Sequence, residues 1–394
     1  MGRRQKGGDI NPSDLDEIKD ILAKSGYYIL GIIGRGGFAS IYEVEKIGDK
    51  KKYAVRITDL IRVHQSLDPE FDADLYEATN DLLLQRSINT KLSRTICDMF
   101  NKCETVCIDD HISCSKLIVL FTGKTGKYMV EVMEKYDSDL KKYISKHTFY
   151  ELAMKDITYV ENFNKTVKML FKAIFALHKE GIAHGDIKPG NILINKKGED
   201  KIAKLSLTDF DTLCFNQKCE TSAFTPGYTT FEFTKAIKKN LPFDIDIQQR
   251  TDMYAAALVI LDLWYGNDFG KEIEKLNVDN KGFPLNHIED LSTNLHKRLF
   301  LLVSLLKFNK KRFDMLRKKR ALTNNVNVAE RYINIAIELF IKLLGGSTDI
   351  ESLLKDVKEN MERDISIPKW VSPKRKAHWK SAYPSTRLQS SKIN

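Results

Sequence analysis

The chain has 394 residues, 42% of them hydrophobic and 29% charged, with a formal net charge of +10. That balance suits a folded globular protein with a full core and excludes fibrous and wholly disordered classes. The longest strongly apolar run, "AAALVILDLWY" from Ala255, is too short to cross a membrane and carries Asp262.

The charge is unevenly placed. Residues 363–394 and residues 307–320 each hold eight Lys or Arg and one acid, +7 apiece, so the remaining chain is about −4. Both segments read either as solvated surface or as docking sites for an acidic protein, nucleic acid or membrane. The N-terminal "MGRRQKGGDINPSDLDEI" has no apolar stretch fit for a secretory signal, and Lys6 stands where N-myristoylation wants Ser or Thr. An intracellular protein, cytoplasmic or nuclear, is expected; "SPKRK" at Ser372 resembles a short import signal. The six cysteines then read as free thiols. Cys97, Cys103, Cys107 and Cys114 gather near His111 but lack the C-x-x-C pair of a recognisable zinc site.

In chain order, residues 11–24 predict a short helix, with Pro12 in the first turn, an apolar stripe of Leu15, Ile18, Ile21 and Leu22, and Gly26 as its stop. Strands follow in "YYILGIIG", "SIYEVEKIG" and "KKYAVRI", then a helix around residues 75–88 and a loose cysteine-bearing connection. "KLIVLFTG" and "KYMVEVMEKY" predict a hairpin. After Tyr136 the chain turns helical: a long amphipathic stretch ends at Gly181, short strands sit around "GNILIN" and "AKLSLTDF", and helices cover 251–265 and 328–344. Residues from about 366 onward, rich in Ser, Lys and Pro, read as a disordered tail.

The glycine-rich turn "GRGGFASIY" is by itself only a plausible hairpin. Its neighbours sharpen it. "AHGDIKPGNIL" sets His184, Asp186, Lys188 and Asn191 on one loop between a helix and a strand, and "KLSLT" then delivers Asp209. Two carboxylates and an amide beside strands supply the hard oxygens that Mg²⁺ bound to phosphates requires.

In that order the motifs resemble eukaryotic-type protein kinases over roughly residues 26–344. The resemblance implies an α+β, bilobal fold: a helical extension (1–25), a β-rich small lobe (26–136), a helical large lobe (137–362) and a basic tail (363–394). It implies ATP and Mg²⁺ as cofactors and a protein substrate or regulatory protein as partner. Gly34 and Gly36 match the phosphate-loop glycines, with Phe38 at the tip, Ala39 in place of the third glycine, and Ile41 and Ala54 against the nucleotide. Arg56 stands where the family has its phosphate-gripping lysine, and Glu77, or Asp81, would be its helix partner. The backbone from Glu134 to Tyr136 would face adenine.

Asp186 is then the residue that orients or deprotonates the acceptor hydroxyl, Lys188 a contact to the transferred phosphate, and Asn191 and Asp209 the metal ligands. "TPGYTTFEF" resembles the substrate segment, with Thr225 and Gly227 in it, Phe231 in place of a usual proline, and Glu232 pairing with a distant arginine, assigned to Arg312. Asp252 would brace the catalytic loop. Two more departures matter. Gly185 replaces the arginine that receives a phosphorylated loop, and Asp211 replaces the glycine of the magnesium triplet.

Three functions compete at this point. The motifs favour a serine/threonine kinase of reduced activity; Arg56, Ala39 and Asp211 favour a pseudokinase scaffold, since fold and turnover are separable. A small-molecule kinase also shares "HGD" and "DFD", but "TPGY" and the helix opening at Asp252 speak against it.

Overall fold

A computed structural model describes residues 10–35, 39–49, 51–62, 93–97, 102–107, 110–113, 115–198, 200–210, 212–215, 225, 227–239, 244–266, 295–319 and 324–363. Of the site residues expected from sequence, Gly36, Phe38, Glu77 and Asp211 lie outside them, as do Asp81, Cys114 and the helix expected around 75–88.

Helix α1 (Pro12–Lys24) starts where expected, the Asn11 side chain accepting the Ser13 N–H as its cap. Gly26, at φ +80°, turns the chain out of it. Seven strands then form one sheet: β1 (Tyr27–Arg35), β2 (Ala39–Lys46), β3 (Lys52–Asp59), β4 (Ser93–Cys97), β5 (Lys102–Cys107), β6 (Ser115–Thr122) and β7 (Lys127–Glu134), in the spatial order β1-β2-β3-β7-β6-β5-β4. Every pairing in it is antiparallel. The connection read as a loose loop is therefore a hairpin, with Cys97 opposite Cys103. Its mixed Cys, Thr and charged residues give no two-residue hydrophobic alternation to betray it.

Alternation sorts the faces of the central strands. Val55, Ile57, Leu117, Val119, Val130 and Val132 share one cluster with Ile18 and Leu22 of α1. Burying those two side chains stabilises the docked helix by roughly 1.5–3 kcal/mol each. Asp14, fully buried on the same helix, accepts from Lys124 N–H (2.9 Å), Thr125 N–H (3.2 Å), Thr125 Oγ1–H (2.6 Å) and Tyr128 O–H (3.0 Å) at the β6–β7 turn. A side chain on Gly123 would collide with its carboxylate at 2.6 Å.

The large lobe opens with β8 (Ser138–Asp139), α2 (Leu140–Ile144), α3 (Phe149–Lys155) and α4 (Thr158–Lys179). Two small sheets follow: β10 (Ile192–Lys197) lies between β11 (Lys201–Leu207) and β8, and β9 (Ile182–Ala183) pairs with β12 (Cys214–Phe215). Such two-residue strands are too short to show a period in sequence. Helices α5 (Phe231–Lys238), α6 (Ile245–Tyr265), α7 (Leu295–Lys319) and α8 (Asn324–Leu344) complete the lobe. α6 is buried on nearly every side, as an all-round apolar helix must be. Its Trp264 stacks on Phe313 of α7, with centroids 5.2 Å apart. The basic stretch 307–320 falls largely on α7, where Lys307, Lys310, Lys311 and Lys318 are exposed while Phe313 and Leu316 are buried. A second compact unit begins at Glu351 with α9 (Glu351–Arg363).

Candidate active site

On the small-lobe side, sheet register builds the site. Gly34 of β1 pairs with Ile41 of β2, and Ile41 with Arg56 of β3. Ala54 lies two residues from Arg56 on the same face, opposite Met133 of β7. The Arg56 guanidinium, with 22% of its side chain exposed, sits 3.4 Å (Nη1 to Oδ1) from Asp209. Between the lobes, Lys135 N–H donates to Lys52 O (3.2 Å) and Asp137 N–H to Ile194 O (3.1 Å). Tyr136 N–H, between them, has no partner among the described residues, as a backbone donor for a flat heterocycle would require. Glu134 pairs with Lys204 (2.6 Å), whose ammonium also lies over the Tyr136 ring.

On the large-lobe side, a hydrogen-bond network centres on Asp186. Its Oδ1 accepts from Thr225 Oγ1–H (2.6 Å); its Oδ2 accepts from Lys188 Nζ (2.6 Å) and Asn191 Nδ2 (2.9 Å). Lys188 Nζ also donates to Thr225 Oγ1 (2.8 Å). Pro189 to Asn191 form a 3₁₀ turn that folds Asn191 back under Asp186, where Nδ2 meets the Asp186 carbonyl as well (2.9 Å). Asn191 thereby commits its NH₂ to the loop, which leaves Oδ1 as the atom for a cation.

Asp252 holds the loop from beneath. Its buried carboxylate accepts from His184 N–H (2.7 Å), Gly185 N–H (2.9 Å) and His178 Nε2 (3.0 Å). The His184 ring works in the Nε2–H tautomer: Nε2 donates to Thr208 O (3.0 Å), and Nδ1 accepts the Asp186 N–H (3.3 Å). Asp209 follows β11 with φ +67°, the sole non-glycine at positive φ among the described residues. A non-glycine there is strained, of order 1–3 kcal/mol, and turns the carboxylate back toward the cleft. With 41% of that side chain exposed, Asp209 and Asn191 offer hard oxygens of the kind Mg²⁺ takes, so the residues fit the metal.

Thr225 and Gly227, at φ +95°, belong to a turn in which Tyr228 N–H returns to Thr225 O (3.3 Å). Tyr228 O–H donates to Asp262 (2.9 Å), whose carboxyl is pushed up to about 6 by burial, offset in part by that hydroxyl. One pairing is corrected. Glu232 binds Arg250 (3.2 Å), not Arg312. Arg250 lies in the second turn of α6, within reach of the start of α5, whereas the Arg312 guanidinium is held over the Tyr150 and Phe308 rings at 4.9 and 5.2 Å. Arg250 was findable from sequence, being the one basic residue in the helix that carries Asp252.

His111 of the cysteine cluster turns its Nδ1 to Leu205 O (3.2 Å), and among the described residues no three His, Cys, Asp or Glu side chains converge as a metal would need. Cys214 is disulfide-bonded, against the expectation of free thiols throughout. No described helix is long and apolar enough to cross a membrane.

The chain is similar in sequence to several known proteins. The chain is 25% identical over 207 residues to "Serine/threonine-protein kinase ROP18" of Toxoplasma gondii, covering 50% of this chain and 34% of that protein. It is 27% identical over 184 residues to "CTD kinase subunit alpha" of Schizosaccharomyces pombe, covering 45% and 28%. The "Serine/threonine-protein kinase H1 homolog" of Pinctada fucata gives 27% over 184 residues, covering 47% and 34%. The matched region spans about a third of the length of these relatives. Residues 27–321 match the protein kinase domain, a stretch that contains the glycine turn, Arg56, the Asp186 loop, Asp209 and Asp252 alike, and the chain belongs to that family.

Proposed function

We propose that the chain transfers the terminal phosphate of ATP to serine or threonine hydroxyls of protein substrates, with Mg²⁺ and at a reduced rate. The observation that carries this reading is the closed triangle of Asp186, Lys188 and Thr225. Asp186 is positioned to accept a hydrogen bond from an incoming hydroxyl and to orient its oxygen for attack; Lys188 places a positive charge where the transferred group gains negative charge. Thr225 holds both and lines the place where the acceptor enters. Asn191 and Asp209 would hold the metal, which when bound neutralises phosphate charge. The exposed lysines of α7 suit an acidic partner protein.

A second reading rests on Arg56. Its guanidinium leans on the Asp209 carboxylate, a ligand the metal also needs, and a planar fork cannot place a compact charge as an ammonium does. A nucleotide-binding scaffold without turnover follows if that contact persists with ATP. Incubation with labelled ATP, Mg²⁺ and a basic protein acceptor separates the two, beside Asp186→Ala. Transfer by the wild-type chain and none by the variant is expected; equal incorporation by both removes the kinase reading.

A further inference from the structure

Helix α6 turns two polar side chains, one turn apart, toward the catalytic loop. Asp252 accepts three hydrogen bonds, two of them from that loop. Gln248 is fully buried, yet neither its Nε2 nor its Oε1 has a hydrogen-bond partner among the described residues. An unpaired buried amide is destabilising, so a chain selected for stability alone would carry Met or Leu here.

The amide is aimed at a definite target. Gly185 sits at φ +82°, and a side chain built on it would meet Gln248 Nε2 at 2.3 Å and the Thr212 carbonyl oxygen at 2.4 Å. The absent side chain of Gly185 is thus what lets the amide nitrogen and that carbonyl flank one point in space. Thr212 already donates its hydroxyl to His184 O (3.0 Å), and two residues later β12 pairs with β9, immediately before the catalytic loop. Glycine at 185 does two things there: it adopts a conformation other residues resist, and it clears a line between α6 and the segment leaving Asp209.

We propose that Gln248 is a positioning residue: in the competent state its amide donates to the Thr212 carbonyl across Gly185, clasping the segment after Asp209 to the catalytic loop without any phosphate group. The proposal rests on the kinase reading for its effect on rate, but not for the clasp itself. Such a bond would have the ordinary N···O length of about 2.9 Å. A neutral amide and a carbonyl carry no phosphate, so the clasp is independent of phosphatase treatment.

The test uses the full chain with Gln248→Met and Gln248→Asn, the second keeping an amide but one methylene short. Hydrogen exchange of the β9 and β12 amides, thermal melting, and kinetics with varied ATP are read on each. Gln248→Met is expected to raise Tm by about 2–4 °C, because an unpaired amide is replaced by an apolar group of similar size. The same variant should lose about tenfold protection at Ile182, Ala183, Cys214 and Phe215, and lower kcat about tenfold with KM for ATP unchanged. Gln248→Asn should lose the same protection without the gain in Tm. A purely structural glutamine moves melting and activity downward together, and that outcome, or unchanged protection in either variant, overturns the proposal. Should the wild-type chain transfer no more phosphate than Asp186→Ala, the kinase reading fails, and exchange with melting still decides for or against the clasp.

Discussion

On the large-lobe side of the cleft, Asp252 takes three hydrogen bonds from the loop and helix around it, and Asp186 takes three more from Asn191, Lys188 and Thr225, the last two of which also bind one another. On the small-lobe side the strands place Gly34, Ile41, Ala54 and Arg56 by register, and Arg56 leans across the cleft onto Asp209. The first side is fixed by closed polar networks and the second by a sheet. A network loses its geometry when one member changes, because the remaining buried groups are left unpaired. A sheet keeps its backbone whatever cation stands at position 56. Divergence at Arg56 is therefore tolerable for folding, while the Asp186 loop admits little.

The sharpest way to break the comparison is Asp252→Ala. It strands the His184 and Gly185 amides in a dry site, and a loss of about 3 kcal/mol in urea unfolding is expected together with loss of transfer. Retained transfer would show that the network does not hold the loop.

Asp14→Ala probes the small lobe away from the cleft. Burial alone would raise the Asp14 carboxyl, but the Thr125, Lys124 and Tyr128 donors outweigh it and hold it below its ordinary 3.8. The folded protein then holds that proton less tightly than the unfolded chain. Its contribution is present above about pH 4 and lost as acid titrates the folded carboxyl. Loss of about 2 kcal/mol at pH 7, vanishing in acid, is expected with ATP affinity unchanged. Changed affinity would mean that α1 governs the cleft through the sheet.

Asp262→Asn is the mildest and has the opposite sign. The folded carboxyl is raised to about 6, so this group favours the folded state most below about pH 4 and progressively less as pH climbs to 6. Replacing it by a neutral amide should raise stability at pH 7 by about 1–2 kcal/mol and remove that slope. A pH profile identical to wild type would show that Tyr228 holds Asp262 ionised.

Much of this was legible in the sequence because local rules agree with the fold. Asn11, Pro12 and Gly26 bound α1, and the valine-rich alternation of β3, β6 and β7 marks the sheet. The loop of Asp186, Lys188 and Asn191 is contiguous, so its spacing carries its geometry. What escaped depends on distant chain: Asp14 reaches a turn more than a hundred residues away, and β9 and β12 are two residues each. The partner of Glu232 was misassigned because pairing over long range leaves no period. Gln248 lies before the helix expected at 251–265, and only the fold brings it beside Gly185.

The difference between the two sides comes to a point in Arg56→Lys, read as initial phosphate transfer at saturating ATP and Mg²⁺ with Arg56→Lys/Asp186→Ala as control. If the large-lobe network is intact and the small-lobe cation is what slows the chain, the single variant gains about tenfold in rate and the control shows none. A single variant no faster than wild type, or a control that keeps the gain, would contradict the account.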